Sequence, residues 1–450
     1  MLYSIFSFIK INIGVLIKKS NKKVIKGYRK TYHFLKNEEQ SKQEQILLEK
    51  LNSVINYCYE YVPYYTDLFN KSSLEKKNSK IVLNKFSDLE KIPVLTKKIL
   101  NENFDDLTSI KIDVSELTKN SSGGSTGTKA VFYQDRNHRF THSSTFLAFL
   151  RLYGVRYWQR KHLLIWGNQQ DLGNDTLPDN VYSHLLFNDS VVLNANNLGE
   201  FELKKCTDIL KKIKFDYIRG YSQGILILAK YIIENNIKIK KQKIIISTAT
   251  QLSKEMKKEI YKAFGCKIVD FYGSREVGAI GYYESNNALR IFNNMNYVEI
   301  DDKENSGAGE LLITNLSNKG MPLIRYNIGD VGVISNTEKK LPHYILKLNG
   351  RVADIFYTID NKKIDGTFLT TTLNEFDCIE QFQIIQEKID LIKIRYVPNS
   401  KINQHFFDKL IFKFNKIFGV QCRISFVKEN NIPPSKSGKF LYVICNLDKR

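Results

Sequence analysis

The run Ser121-Ser122-Gly123-Gly124-Ser125-Thr126-Gly127-Thr128-Lys129 holds the residue types that can wrap a polyphosphate. Glycines let backbone N–H groups approach an anion closely, serine and threonine hydroxyls add donors, and a terminal lysine adds a compensating charge. The run is neither a G-x-x-x-x-G-K-[ST] loop nor a G-x-G-x-x-G turn, and the chain's Gly-Lys pair, Gly438-Lys439, is followed by Phe440. Taken alone, such a loop is more often an ordinary solvent-facing connection.

Four further stretches carry chemistry. In DFYGSREVGAIGYYE (270–284) a strand-like run ends at Tyr272-Gly273-Ser274, with Glu276 just beyond. Open α/β folds bind ligands at the carboxyl ends of their strands. A tyrosine there can stack on a planar base, and a carboxylate can hold Mg2+ beside phosphates. The plain alternative is a turn with a solvated Arg275-Glu276 pair. In Arg325-Tyr326-Asn327-Ile328-Gly329-Asp330 an aspartate fixed after a glycine turn can accept both hydroxyls of a ribose, or simply close a hairpin. Gly350-Arg351-Val352-Ala353-Asp354 stands where a large module meets a small one. Pro433-Pro434-Ser435-Lys436-Ser437-Gly438-Lys439 lies near the C-terminus, where a lysine by itself is ordinary. No Ser-His-Asp set stands out among the seven histidines. The six cysteines include no C-x-x-C pair, which argues against a zinc knuckle or a redox dithiol and for free, mostly buried thiols in a reducing cytoplasm.

The elements that must position these residues follow from apolar periodicity. Leu47, Leu48, Leu51, Val54 and Ile55 predict a helix over 40–60 that ends at Pro63. Short helices punctuated by Pro93 fill 87–118, and a helix follows the loop from about 137 to 152. From there strand-like and helical runs alternate: strands at 162–167, 243–248 and 266–273, helices at 201–215, 224–235 and 253–265. That alternation predicts an open α/β sheet with helices on both faces. Runs at 309–315, 321–334 and 343–350 read as strands of a smaller β module. Beyond 350–356 a hairpin (FQIIQEK, LIKIRYV), a helix over 402–418 and two further strands make a small α+β module.

At 450 residues the chain is long enough for two or three domains of roughly 100–200 residues each. Plentiful Ile, Leu, Tyr and Phe exclude disorder as the main state, and no run of about 18 uncharged apolar residues marks a polytopic membrane protein. The net charge of +21 is spread along the chain rather than gathered in an aromatic-studded stripe, so no nucleic acid is expected as partner. A basic, non-catalytic binding protein is the competing class. Residues 1–39 form an apolar and then basic helical segment. Residues 1–30 suit either a peripheral membrane contact or a helix docked on its own domain, and docking is preferred.

Together, and in this order, the five motifs resemble those of the adenylate-forming, or acyl-activating, superfamily. From VPYY onward the chain is similar to the phenylacetate-CoA ligase branch and its CapK-like polysaccharide biosynthesis members, with IPVLTKKIL (92–100), DYIRGYSQGILILAKYI (216–232) and TATQLSKEMKKEIYKAFG (248–265) in support. The resemblance implies a large multi-layer adenylating domain with mixed sheets flanked by helices (40–354) and a small α+β lid (355–450). It implies an AMP-forming ligase that activates a small carboxylic acid with ATP and Mg2+. Ser122–Lys129 would hold the phosphates, and Tyr272, Gly273 and Ser274 the adenine, with Thr248, Ala249 and Thr250 on its other side. Glu276 would bind the metal, Asp330 the ribose and Arg351 the ribose or phosphate. Asp354 would be the hinge, and Lys439 would reach the α-phosphate and the carboxylate. Thr250 stands where this branch commonly has Glu, and TIDNKKIDGTF (358–368) lacks the Arg-Gly-x-Asn turn of CoA-using relatives. The acceptor is therefore an external amine, hydroxyl, carrier or CoA. The implied location is the cytoplasm, with or without membrane association.

Overall fold

The computed structural model describes residues 19–36, 40–122, 130–159, 161–166, 182–183, 190–195, 198–249, 252, 254–285, 288–301, 309–334, 344–349, 355–360, 362–373, 376, 378–398, 402–432 and 442–447. By their contacts these residues group into two units. One is drawn from Met1–Ser122, Ala130–Gln159 and Phe271–Asn349, the other from Arg160–Asp270 and Gly350–Arg450. The architecture is mixed α/β, with large sheets flanked by helices and a smaller C-terminal α+β module.

The first unit opens on helices. Lys19–Lys36 lays Tyr28, Thr31 and Leu35 against its own unit and packs on helix Arg136–Leu152, where Ser144 Oγ donates to Val24 O at 3.0 Å. A Cβ on Gly27 would stand 2.6 Å from Ser144 Oγ, so glycine permits the close crossing. For residues 19–36 the docked alternative is the one observed. Helix Gln40–Tyr61 buries Leu47, Leu51, Val54, Ile55 and Cys58 along one face. It stops before Pro63, which also begins helix Pro63–Asn70; there the ring's missing N–H leaves no helical bond unmade. Asn52 and Asn56, one turn apart, grip the backbone of Leu83 and Ile81 through both amide atoms.

The unit's sheet is antiparallel. Its ladder runs Asn296–Asp301, Gly309–Asn315, Tyr326–Ile334, Tyr344–Asn349, Ala288–Ile291 and Gly278–Ser285. The run expected as a strand over 321–334 is extended only from Tyr326 onward. Phe149, Phe271, Tyr282 and Phe292 meet edge-on and tilted at ring separations of 5.0–6.1 Å and fix the sheet to helix Arg136–Leu152.

The second unit carries a parallel sheet. His162–Trp166 lies between Ser190–Asn194 and Tyr217–Tyr221, and Ile244–Thr248 follows. Ile244, Ile245 and Ile246 are all buried, the continuous apolar run that a sheet covered on both faces requires. Glycine at 220 lets the ladder close, because a Cβ there would lie 2.7 Å from Ile165 Cβ. Helices Glu200–Lys212, Ser222–Glu234 and Lys254–Phe264 complete this core. Strand Lys267–Ser274 serves two ladders. Lys267–Asp270 pair in parallel with Ile244–Ser247, and Phe271–Ser274 pair antiparallel to Gly278–Tyr282.

The C-terminal part of the second unit has its own core. Strands Arg423–Lys428, Leu391–Pro398, Ile379–Lys388 and Val443–Cys445 form one sheet, covered by the apolar face of helix Gln404–Phe418. Gln386, fully buried, accepts from Tyr357 N–H at 2.8 Å and donates to Tyr357 O at 2.6 Å, so its side chain acts as a strand partner. The six cysteines are free. Burial raises the Cys58 thiol and pushes those of Cys206 and Cys266 up to about 12. Among the described residues no helix is long and apolar enough to cross a membrane.

Candidate functional site

Strands Thr118–Ser121 and Val131–Gln134 form the stem of the Ser/Gly loop. Ser122 N–H donates to Ala130 O at 2.8 Å, and Ala130 N–H donates to Ser122 Oγ at 2.9 Å. The last rung of the hairpin is thus closed by the serine side chain, and both residues are buried. Gly123, Gly124, Ser125, Thr126, Gly127, Thr128 and Lys129, between them, lie outside the described residues.

The turn Ser274-Arg275-Glu276-Val277-Gly278 sits beside this stem. Gln134 Nε2 donates to Arg275 O at 2.7 Å, and Arg275 Nη1 donates to Ser121 O at 3.2 Å. Arg275 is therefore engaged by the stem rather than by Glu276, and Glu276 is buried, not solvated. The Tyr326 hydroxyl lies 3.4 Å from Glu276 Oε1. No Lys or Arg among the described residues pairs with this carboxylate. A buried carboxylate without a cationic partner is chemically suited to a metal ion. Tyr272 donates its hydroxyl hydrogen to Asp330 Oδ2 at 2.6 Å, a short charge-assisted bond between two motifs 58 residues apart.

Asp330 is positioned by the start of its own strand. Arg325 adopts φ +49°, in the left-handed region, and is held there from several sides. Its guanidinium pairs with Glu299 at 3.3 Å and donates to Ile92 O at 2.5 Å and Glu90 O at 3.2 Å, while its N–H donates to Thr314 Oγ1 at 3.0 Å. Burial pushes the Glu299 carboxyl up to about 7 against the pull of Arg325, with Glu90 adding to the rise. Leu95 N–H donates to Arg325 O at 3.1 Å and Leu95 O accepts from Asn327 N–H at 2.9 Å, on either side of Tyr326, so the strand leaves at a fixed angle.

A buried amide network joins these parts. Asn296 and Asn315, register partners on adjacent strands, are both fully buried. Asn315 Nδ2 donates to Val277 O at 3.1 Å and to Asn296 Oδ1 at 2.7 Å. Asn296 Nδ2 donates to Val277 O at 3.2 Å and Ala279 O at 2.7 Å. Asn315 Oδ1 accepts from Ser317 and Asn318 N–H, and Asn318 Nδ2 donates to Tyr133 O in the loop stem at 2.7 Å. Asp135 caps helix Arg136–Leu152 through His138 N–H at 2.6 Å and accepts from Lys319 N–H. His138 Nδ1 lies 2.9 Å from Ser317 Oγ, and burial pushes its imidazole down to about 4 despite the opposing charge of Asp135.

Of the residues singled out from sequence, Ser122, Tyr272, Gly273, Ser274, Glu276 and Asp330 fall in the first unit. Thr248 and Ala249 belong to the second, where they close strand Ile244–Thr248 and Ala249 takes φ +74°. Thr250, Arg351, Asp354 and Lys439 lie outside the described residues. Sequence reading missed Asp135, His138, Asn296, Asn315 and Asn318. The usable signal was asparagine at strand positions, where it is depleted unless its amide is needed.

The fold is that of the adenylate-forming ligases. It superposes on 2-hydroxyisobutyryl-CoA ligase, solved with 2-HIB-AMP and CoA in the thioesterification state, with TM-score 0.55 and 17% identity over 90% of each chain. The same ligase in its postadenylation state, with R3-HIB-AMP, gives TM-score 0.50 over 90% of each chain. Residues 356–446 match the family model of the CapK C-terminal domain. The chain is also 25% identical over 445 residues to Protein CapK of Staphylococcus aureus, covering 94% of this chain and 95% of that one.

Two predictions follow from this geometry. Gly278 has φ +73°, and a Cβ would meet Met295 Cε at 2.4 Å, so Gly278→Ala is expected to cost about 2–3 kcal/mol in chemical denaturation. A cost within error of zero would show that the turn is pliable. His138 is neutral when folded and takes a proton when unfolded below its ordinary value near 6.5. Its contribution is therefore present above pH 6.5 and lost as pH falls toward 4, amounting to about 3 kcal/mol. Unfolding curves across that range should lose this slope in His138→Asn.

Proposed function

We propose that the protein activates a small carboxylic acid as an acyl-adenylate, with release of pyrophosphate, and passes the acyl group to an external acceptor in polysaccharide or cell-surface glycan biosynthesis. The observation that carries this reading is the convergence, within one unit, of the loop stem at Ser122, the Tyr272 turn, buried Glu276 and Asp330. The ligase fold and the similarity to Protein CapK support it.

In this reading the hydroxyls and backbone of Ser122–Lys129 hold the β- and γ-phosphates. Tyr272, Gly273 and Ser274 bracket the adenine, with Thr248, Ala249 and Thr250 on the other side. Asp330 accepts the ribose hydroxyls, with its Oδ2 steadied by Tyr272, and Arg351 contacts ribose or phosphate. Glu276 is the residue to hold Mg2+, an oxygen-seeking ion that needs only one or two protein carboxylates beside phosphates. When bound, the ion neutralises phosphate charge. No cluster of three metal-ligating side chains occurs among the described residues, and such a site does not call for one.

The substrate carboxylate oxygen attacks the α-phosphorus, and the bond from that phosphorus to the bridging oxygen breaks as pyrophosphate departs. The protein supplies alignment and charge rather than a nucleophile. Lys439 brings positive charge to the α-phosphate and carboxylate. Asp354 is the hinge that lets it enter for adenylation and leave before transfer. Transfer to an amine, hydroxyl or carrier then releases AMP, in the cytoplasm. CoA as acceptor is the second reading, favoured by the likeness to a ligase solved with CoA.

A panel of carboxylic acids assayed for pyrophosphate exchange should yield one acid that supports exchange; none across a broad panel would sink the reading. With that acid, Lys439→Ala is expected to lower adenylate formation by ~100-fold or more. Near-wild-type adenylation would remove Lys439 from its role. Asp330→Ala should raise the KM for ATP far more than that for the acid, and equal effects would place Asp330 elsewhere. A thioester formed on adding CoA would decide for the second reading.

A further inference from the structure

One ion pair of the first unit is poor glue. Glu299, on strand Asn296–Asp301, reaches Arg325 Nε at 3.3 Å across strand Gly309–Asn315, and both side chains are 10% exposed. The pairing oxygen is Oε1; Oε2 is buried with no hydrogen-bond partner among the described residues. The charged and titratable groups facing this carboxylate are Arg325, Glu90 of the turn Phe86–Lys91, and Tyr297 and Asp301 of its own strand. Burial pushes the carboxyl up to about 7 against Arg325, and Glu90 and Asp301 add to the rise. Folding therefore favours the neutral form. An unfolded carboxyl loses its proton near 4.5, so the stability Glu299 contributes is present below that pH and lost as pH rises through 7. A buried pair with one oxygen unsatisfied is weak evidence for stability, and apolar side chains of the same volume often hold a core as well.

What the charge does hold is backbone. Arg325 stands at φ +49°, a conformation that costs free energy in a non-glycine residue and persists only under constraint. The constraints are of two kinds. The carbonyls of Glu90 and Ile92 accept from the guanidinium at any pH, and so does the bridge at Leu95 hold. The attraction of Glu299 for the guanidinium exists in full only when the carboxylate is charged. The strand that Arg325 starts, Tyr326–Ile334, carries Asp330, whose Oδ2 accepts from Tyr272 at 2.6 Å. A change of charge at Glu299 is therefore felt at Asp330 through five residues of one strand.

Given that Asp330 holds the ribose as proposed above, we propose that Glu299 is a positioning residue for the nucleotide: its negative charge, acting through Arg325, fixes the strand that carries Asp330 and so sets how firmly the ribose hydroxyls are held. The grip on the ribose is then strong above about pH 7, where Glu299 is charged, and weak below it. The charge that folding opposes is kept for the geometry it imposes, and mild acidification turns down nucleotide binding through a residue that touches no nucleotide.

The test titrates ATP and 2′-deoxy-ATP, each with Mg2+, into the full chain by calorimetry at about pH 6, 7 and 8.5, on either side of the carboxyl's transition. The ratio of the two dissociation constants isolates the ribose, because protonation of the phosphates, Glu276 or Lys439 acts on both nucleotides alike. Wild type is expected to prefer ATP by about tenfold at the highest pH and by about twofold at the lowest. Glu299→Gln should show the small preference throughout. It should also melt no lower than wild type at the highest pH, because the charge it removes is one that folding opposes; an ion pair kept for stability predicts the reverse. A wild-type preference for ATP that does not rise with pH overturns the proposal and leaves adenylation standing. So does a Glu299→Gln variant that keeps the wild-type preference, or one that loses it in step with a lower melting temperature. No ATP binding at any pH, or no preference for ATP over 2′-deoxy-ATP, overturns it together with the role given to Asp330. The wild-type series decides the matter even if the variant fails to fold.

Discussion

The carbonyl of Val277 accepts hydrogen bonds from two buried amides, Asn315 and Asn296, and much of the candidate site depends on that pairing. A carbonyl in a tight turn has no ladder partner, and burying it unbonded would cost about 1–3 kcal/mol. Here the two amides both satisfy it and define where the turn sits. Through Asn318 the same network reaches Tyr133 at the loop stem, and through Asp135 it caps the helix that follows. The loop stem, the Glu276 turn and the strand bearing Asp330 are thus tied by fixed side chains rather than by chain proximity. A network of this kind is informative only when complete, because a half-satisfied one is worse than an apolar core.

The Arg325 lock adds a second constraint of a different kind. It holds a non-glycine residue at positive φ, a conformation that survives only where the surroundings over-determine it. Glu299, Thr314 and the 90–92 carbonyls provide that determination. The strand that leaves Arg325 brings Tyr326 toward Glu276 and Asp330 toward Tyr272. The amide network and the lock approach the site from opposite ends of the segment Asn315–Arg325, and together they leave its backbone little freedom.

Much of the fold was legible in the sequence. The helix over Gln40–Tyr61, the buried run Ile244–Thr248 and the C-terminal hairpin with its helix carry strong periodicity, and the structure has them where the pattern predicts. Hairpin strands with little periodicity were not legible: Thr118–Ser121 is polar, and Gly278–Ser285 begins with glycine and alternates weakly. The site was legible as residue types but not as an arrangement. Tyr272 and Asp330 were each singled out, yet nothing local says that one donates to the other across 58 residues. Glu276 read equally as a solvated partner of Arg275, because only the fold reveals that Arg275 is taken by the loop stem. His138 and the asparagines escaped notice since Asn and His are ordinary surface residues in a chain of this composition.

The state of the thiols has a consequence for acyl chemistry. On the proposed activity the product is a mixed anhydride of a carboxylic acid and AMP, which acylates nearby thiolates readily. Cys58, Cys206 and Cys266 are buried and held protonated far above neutral pH. Attack requires the thiolate, so these sulfurs are silent toward an activated acyl group. A self-acylated species, if mass spectrometry found one, would therefore have to carry its label elsewhere, on a half-exposed sulfur such as Cys378 or Cys445 or on a lysine. On the proposed activity, the burial that fills the core with sulfur directs the acyl group outward.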